Sequence, residues 1–335
     1  MSVFVSTEDL ARTAHVQPRS AASARGLVGR PLTSFPAMVA VETVSMCNAA
    51  CTFCPHSTSG KNEHRETMSE SLFEKILADC AGQADLTTFN LSFQNEPLMD
   101  PRLFERLRAA RRALGSAVMI SMVTNGSLLR GRRLQALLAD PPDLLKISVT
   151  GIDAATYEAG MKNLRFHVTL KNLDNLLTVA HQHGGPRIVI NCVMTAAMEA
   201  VGIRAIHDFW NERGAQVHVM NLENRAGALA ADQLAAHEGR LQPRAWCKRP
   251  EEQLSIWPNG DVALCCADWT KQIVLGNVES DSLQTIWWGE TIGRFRDGLR
   301  HGHGDTLSPC DHCTAAEVSF EGQTYAELGK LAEQL

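Results

Sequence analysis

Three cysteines, Cys47, Cys51 and Cys54, share the short segment MCNAACTFCPHS in the spacing CxxxCxxC. Thiolates that close on one loop can take three corners of a cubic iron–sulfur cluster and leave its fourth iron without a protein ligand. An iron left open in this way invites a small-molecule ligand. A structural zinc ion instead wants four protein ligands, and His56 or His64 would have to complete the set. A second group lies far downstream: Cys247, Cys265 eighteen residues on, Cys310 forty-five further, and Cys313. Four such ligands suit one auxiliary metal centre, either a second iron–sulfur cluster or a zinc ribbon. Cys266 is left over. Adjacent residues on a strand face opposite ways, so only one of Cys265 and Cys266 is expected to meet the metal, the other turning toward either a substrate cavity or apolar packing. Cys80 and Cys192 stand apart from both sets and read as packing residues.

These residues need a scaffold, and the chain has material for one. It has 335 residues, 44% hydrophobic and 21% charged, which is ordinary globular composition with more length than one domain usually takes. A net charge of −5 without a basic stripe argues against nucleic-acid binding. No apolar run approaches the ~20 residues of a membrane span, and the N-terminus lacks the layout of a signal peptide. A cytoplasmic protein is expected, whose ten cysteines serve metal or redox chemistry instead of disulfides. Residues 1–36 read as a loose extension. Six apolar, β-rich segments follow, at 37–44, 86–93, 117–124, 144–150, 187–194 and 216–222, with helical patterns between them. Pro101 should sit in a first helical turn and Gly214 just past a helix end. Repeated βα units imply a parallel sheet, open or partly closed into a barrel.

Near residue 223 the pattern changes. Residues 223–245 read as a linker, followed by a hairpin in which Asn259-Gly260 joins QLSIWP to DVALCC. This small C-terminal part, 246–320, has little core of its own, and a metal staple would supply what is missing. Residues 321–335 are expected to form a C-terminal helix. The twelve histidines follow no ligand spacing and are assigned to surface or loops, and Trp287-Trp288 to packing.

On the CxxxCxxC segment the sequence resembles the radical SAM superfamily, over most of residues 37–320. The resemblance implies a partial (β/α)6 barrel followed by a small α+β domain of the SPASM or twitch type. It also implies that Cys47, Cys51 and Cys54 hold a [4Fe-4S] cluster whose open iron binds S-adenosylmethionine (SAM), the source of a 5′-deoxyadenosyl radical. Phe53 matches the aromatic residue common before the third cysteine. FQNEPLMDP resembles the segment that contacts the SAM amino group, with Gln94 and Asn95 where two glycines are usual, so Asn95, Glu96 and Pro97 become candidates. Ser148 resembles a SAM ribose contact. Thr124-Asn125-Gly126 and Asn191 sit at or near strand ends where ligands gather, although an ordinary turn explains the first equally well. Cys247, Cys265, Cys310 and Cys313 resemble ligands of one auxiliary [4Fe-4S] cluster, since a full SPASM domain uses about seven cysteines. The implied partners are a small-molecule substrate and a flavodoxin- or ferredoxin-type electron donor. Twitch-type enzymes of modest length, which this chain resembles, act on sugars, aminocyclitols and related natural-product intermediates by oxidation, epimerisation or elimination; a peptide maturase is the alternative, and a non-catalytic iron–sulfur or zinc protein a remote one. Epimerisation would use Cys266 as hydrogen-atom donor.

Overall fold

The computed structural model describes residues 31–229 and 247–314. Most of the expected extension and linker, and the whole expected C-terminal helix, lie outside the described residues. All six expected strands form: β1 Met38–Val41, β2 Thr88–Asn90, β3 Met119–Thr124, β4 Leu144–Ser148, β5 Arg187–Met194 and β6 Gln216–Asn221. Neighbours pair in parallel in that order, as the βα repeat requires. The connecting helices are α1 Glu70–Cys80, α2 Leu103–Leu114, α3 Arg132–Ala139, α4 Ala154–Gly160, α5 Phe166–His183, α6 Ala196–Val201 and α7 Ile203–Asn211.

Local chemistry sets several boundaries. Ser69, Asp153 and Thr195 each accept a backbone N–H from the first turn of α1, α4 and α6. The helical pattern between β5 and β6 divides into α6 and α7 because Gly202 sits at φ +86°, outside helical backbone. Pro101 precedes α2 instead of entering its first turn; Asp100 Oδ1 accepts the Arg102 N–H at 2.8 Å and holds the bend there.

The two faces of the sheet differ in chemistry. Val39, Val41, Phe89, Leu91, Ile120, Met122, Leu145, Ile147, Ile190 and Cys192 share one core with Phe73, Ile76, Leu107, Leu173, Leu176 and Trp210 from the helices. Cys80 belongs to that core too, so both isolated cysteines pack as expected. The opposite, luminal face is polar: Asn90 pairs with Ser121, and Ser148 with Asn191, which pairs in turn with His218. A small cluster of Met119, Leu144 and Val189 closes its lower end.

The C-terminal part does not stand apart from this sheet. Strand β7, Gln253–Ile256, runs parallel to β1 on its outer side. Strand β8, Asp261–Ala263, returns antiparallel after a turn in which Gly260 takes φ +86°, and β9, Val274–Asn277, completes a nine-stranded sheet. Helices α8, Leu283–Trp287, and α9, Glu290–Arg300, follow. Trp287 is fully buried and donates its indole N–H to the Thr33 carbonyl at 2.9 Å. Trp288 is instead 54% exposed, its N–H on the Ser34 carbonyl. No helix among the described residues is long and apolar enough to cross a membrane.

Candidate active site

The loop that leaves β1 carries Cys47, Cys51 and Cys54, and neighbouring segments pin it at several points. Ser45 N–H donates to the Glu66 carbonyl at 2.9 Å, and His56 Nε2 lies 2.8 Å from the Ser45 carbonyl. Thr52 N–H reaches the Gly160 carbonyl at 2.9 Å, beside a two-residue strand pair of Ala50–Cys51 with Met161–Lys162. Phe53 is buried against Gly160. His56 is buried as well, contrary to the surface placement expected of the histidines, because its ring nitrogen closes this loop.

The three thiols are brought together, and each is pushed upward by burial. Cys47 reaches about 12, with the nearby Glu96 and Cys54 charges adding to the effect. Cys51 is likewise held well above its ordinary value, by burial first and then by the Cys54 and Cys47 charges. Cys54 is raised by burial too, opposed by its backbone hydrogen bond and by Arg225 and Lys61. Buried thiols that repel one another as thiolates ionise only when a cation holds them, which is the donor chemistry of an iron–sulfur centre. Among the described residues, no three Cys, His, Asp or Glu side chains converge on a point as a single zinc ion would require.

Above the luminal face, Glu96 organises the next two segments. Its carboxylate accepts the Leu98 N–H at 3.0 Å, the Thr124 hydroxyl at 2.7 Å and the Asn125 N–H at 2.7 Å. Asn125 Nδ2 donates to Asn48 Oδ1 at 2.9 Å, tying this turn to the cysteine loop. Burial raises the Glu96 pKa, and the three donors hold it down in part. Pro97 begins the short turn after it. Glu96→Gln therefore sets an amide donor against one of those donors. Stability should fall by about 1–3 kcal/mol, read as the urea midpoint of the iron-free protein; an unchanged midpoint would refute the bridging role.

Asn95 Nδ2, next to Glu96 in the chain, and Asn191 Oδ1, on β5 beside Ser148, are buried with no hydrogen-bond partner among the described residues. Asn95 spends its oxygen on the Phe93 N–H at 3.0 Å. Ser148 sits beside Asn191 in register, and the alternation turns Cys192 to the helices. Unmet donors and acceptors at such a place suit a polar ligand. Lys146, two residues before Ser148 on the same face, escaped the sequence reading; burial and the Arg187 charge bring its ammonium down to about 8. Nothing but its place in an alternating strand marked it.

The five C-terminal cysteines also gather. Cys265 feels the charges of Cys266, Cys247 and Cys313, and Cys310 those of Cys247 and Cys313. Burial is the largest cause of the upward shift in both, and Cys310 reaches about 12. The buried Arg249, 3.4 Å from Glu223, adds a positive charge to this group. Strand alternation does not separate Cys265 from Cys266, as expected from the sequence, because β8 ends at Ala263 and both lie in the turn beyond. Their hydrogen bonds differ even though the Cys266 charge acts on Cys265: Cys265 Sγ accepts the Ala267 N–H at 3.4 Å, whereas Cys266 Sγ accepts from Gln253 Nε2 at 3.8 Å. A cavity of about 450 Å³ lies at the seam between this turn and the first cysteine loop, lined by Lys61, Gln94, Trp257, Trp269 and Lys271 among others.

Comparison with known proteins agrees with this geometry. Residues 41–196 match the model of the radical SAM superfamily, and residues 247–314 match SPASM, an iron–sulfur cluster-binding domain. The chain is 23% identical over 286 residues to the S-adenosyl-L-methionine-dependent 2-deoxy-scyllo-inosamine dehydrogenase of Niallia circulans, covering 85% of this chain and 96% of that one. The structure of BtrN in complex with AdoMet and 2-DOIA superposes with a TM-score of 0.61 at 20% identity, covering 88% of this chain and 99% of that one. Streptococcus suis SuiB bound to its precursor peptide SuiA gives 0.63 at 17% identity, over 98% of this chain and 79% of that one. With a cysteine loop, a parallel βα sheet and a second cysteine group that each match, this chain belongs to the radical SAM superfamily and is a radical SAM enzyme with a C-terminal SPASM domain.

Proposed function

We propose that this enzyme oxidises a secondary alcohol of a small polyol, an aminocyclitol or related sugar-like intermediate of natural-product biosynthesis, to the ketone. The observation that carries the reading is the near full-length match to a dehydrogenase of that substrate class, joined to a C-terminal group with ligands enough for one auxiliary cluster. Cys47, Cys51 and Cys54 hold the [4Fe-4S] cluster. Phe53, Asn95, Glu96, Pro97, Thr124, Asn125, Ser148 and Asn191 form the SAM pocket, in which Asn95 Nδ2 and Asn191 Oδ1 supply the unmet donor and acceptor. Glu96 shapes that pocket through the Thr124-Asn125 turn it anchors. Cys247, Cys265, Cys310 and Cys313 hold the auxiliary cluster. With both bound, the reduced cluster and SAM would supply a 5′-deoxyadenosyl radical able to take one hydrogen atom from the carbinol carbon, and the auxiliary cluster would accept the remaining electron as the hydroxyl proton leaves. The polar luminal face receives the substrate, and the buried surround excludes water from it. A flavodoxin- or ferredoxin-type protein of the cytoplasm delivers the electron.

A second reading, epimerisation, draws on the Cys266 thiol, which accepts a hydrogen bond from Gln253 of β7, whereas the Cys265 thiol accepts one from the backbone of the turn they share. One experiment separates the two. Reconstituted enzyme is given 2-deoxy-scyllo-inosamine deuterated at its carbinol carbon, and both products are followed by mass spectrometry. Deuterium should pass into 5′-deoxyadenosine while the ketone accumulates in equal amount. An epimer carrying solvent hydrogen would replace oxidation with epimerisation. No transfer from this or related polyols, with transfer from a peptide, would overturn the small-molecule reading.

A further inference from the structure

Gln94 occupies a position where the family's motif ordinarily has glycine, and its side chain is fully employed. Nε2 donates to the Cys266 carbonyl at 3.3 Å and to the Asp268 carbonyl at 3.2 Å. Oε1 accepts from Lys61 Nζ and from Trp257 Nε1, each at 3.2 Å. Its own backbone N–H donates to Glu42 Oε2 at 3.0 Å, and Glu42, wholly buried, is ion-paired with Lys61 at 2.5 Å. Lys61 in turn bonds the loop of the first cysteines, since its carbonyl accepts the Ser45 hydroxyl at 3.2 Å. One amide thus joins three segments distant in sequence: the loop after β1, the segment leading to Glu96, and the turn that carries Cys265 and Cys266.

The receiving turn is stiff enough to transmit that grip. The Asp268 side chain, with no exposure, accepts the Gln272 N–H at 3.0 Å and the Ile273 N–H at 2.9 Å. Cys265 is the first residue of this turn, so wherever the Cys266 and Asp268 carbonyls are held, its thiol is held too. An amide side chain is the group suited to the place, having two N–H donors for two carbonyls and two lone pairs for an ammonium and an indole. A glycine would leave those four partners facing an empty site at the edge of the cavity between the two cysteine groups.

We propose that Gln94 is a positioning residue that fixes the auxiliary cysteine turn relative to the SAM site, and with it the separation of the two metal centres. This rests on the cluster assignments above but not on the substrate. The substrate radical left by abstraction would give its electron to the auxiliary cluster as its hydroxyl proton leaves, and because electron transfer falls steeply with separation, the grip governs how often abstraction ends in ketone.

The test uses reconstituted full-length enzyme and two near-isosteric variants. Gln94→Met removes every side-chain hydrogen bond at similar volume, whereas Gln94→Glu keeps the acceptors for Lys61 and Trp257 but turns a carboxylate toward two carbonyls. Three quantities are read: amide hydrogen exchange of residues 265–273, the inter-cluster distance distribution by pulsed electron paramagnetic resonance, and the yield of ketone per 5′-deoxyadenosine. Both variants should speed exchange of the turn by about tenfold or more, as loss of two buried hydrogen bonds implies. Both should also broaden the distance distribution and lower the yield several-fold. A Met variant with faster exchange but unchanged distances and yield would overturn the positioning role and leave a merely structural one. A Glu variant that behaves as wild type would show that the two donated bonds do not matter, and would overturn it as well. Altered distances in a protein that oxidises no polyol would uphold Gln94's role and reject the substrate reading.

Discussion

Replacing Cys47, Cys51 and Cys54 together by alanine is expected to halve the iron of the anaerobically reconstituted protein, from about eight to about four per chain, and to end all cleavage of SAM. The size of the effect follows from the loop. Its three thiols are the only cysteines near β1's end, and burial leaves each of them costly to ionise unless iron takes up the charge. The four remaining irons report on the C-terminal group, whose cysteines gather independently of that loop. Iron and sulfide assays together with chromatography of 5′-deoxyadenosine check both halves. A wild-type content near four, or tightly held zinc, would remove the auxiliary cluster; eight irons in the triple variant would remove the first.

Cys265 and Cys266 offer the second large contrast. Cys265→Ala should lose about four irons, because its thiol sits among Cys247 and Cys313 at the start of the turn. Cys266→Ala should keep all of them, since that thiol takes its hydrogen bond from Gln253 on the sheet. If Cys266 donates hydrogen, its alanine variant still makes 5′-deoxyadenosine but loses any epimer. If it only packs, turnover is nearly intact and stability falls by ~1 kcal/mol. Iron loss in the Cys266 variant with retention in the Cys265 variant would reverse the assignment.

What the sequence disclosed and what it withheld divide along physical lines. The six parallel strands were legible because a buried strand reads as an apolar run, and the Asn259-Gly260 hairpin because its turn needs a residue at positive φ. Ala50–Cys51 and Val274–Asn277, none of whose residues is fully buried, carry no buried apolar run to read. Pairing of β7 with β1 has no local signal at all, since it joins residues 38–41 to residues 253–256. The same holds at the site. Cysteine spacing announced both groups, but the separate directions of Cys265 and Cys266 arise in a turn that strand alternation does not govern. Gln94 was visible only as a departure from a glycine, and its four partners come from three distant segments.

The placement of β7 beside β1 also bears on how the chain is made. β1 is among the first described segments to leave the ribosome, yet one of its two hydrogen-bonding edges stays open until residue 253 has followed. An open edge of four apolar residues, MVAV, is a template for pairing with another chain. Contacts of such long sequence separation form late and slowly. The C-terminal segment thus acts as the closing piece of the N-terminal sheet, and a nascent chain that stalls before it presents its most adhesive strand to its neighbours.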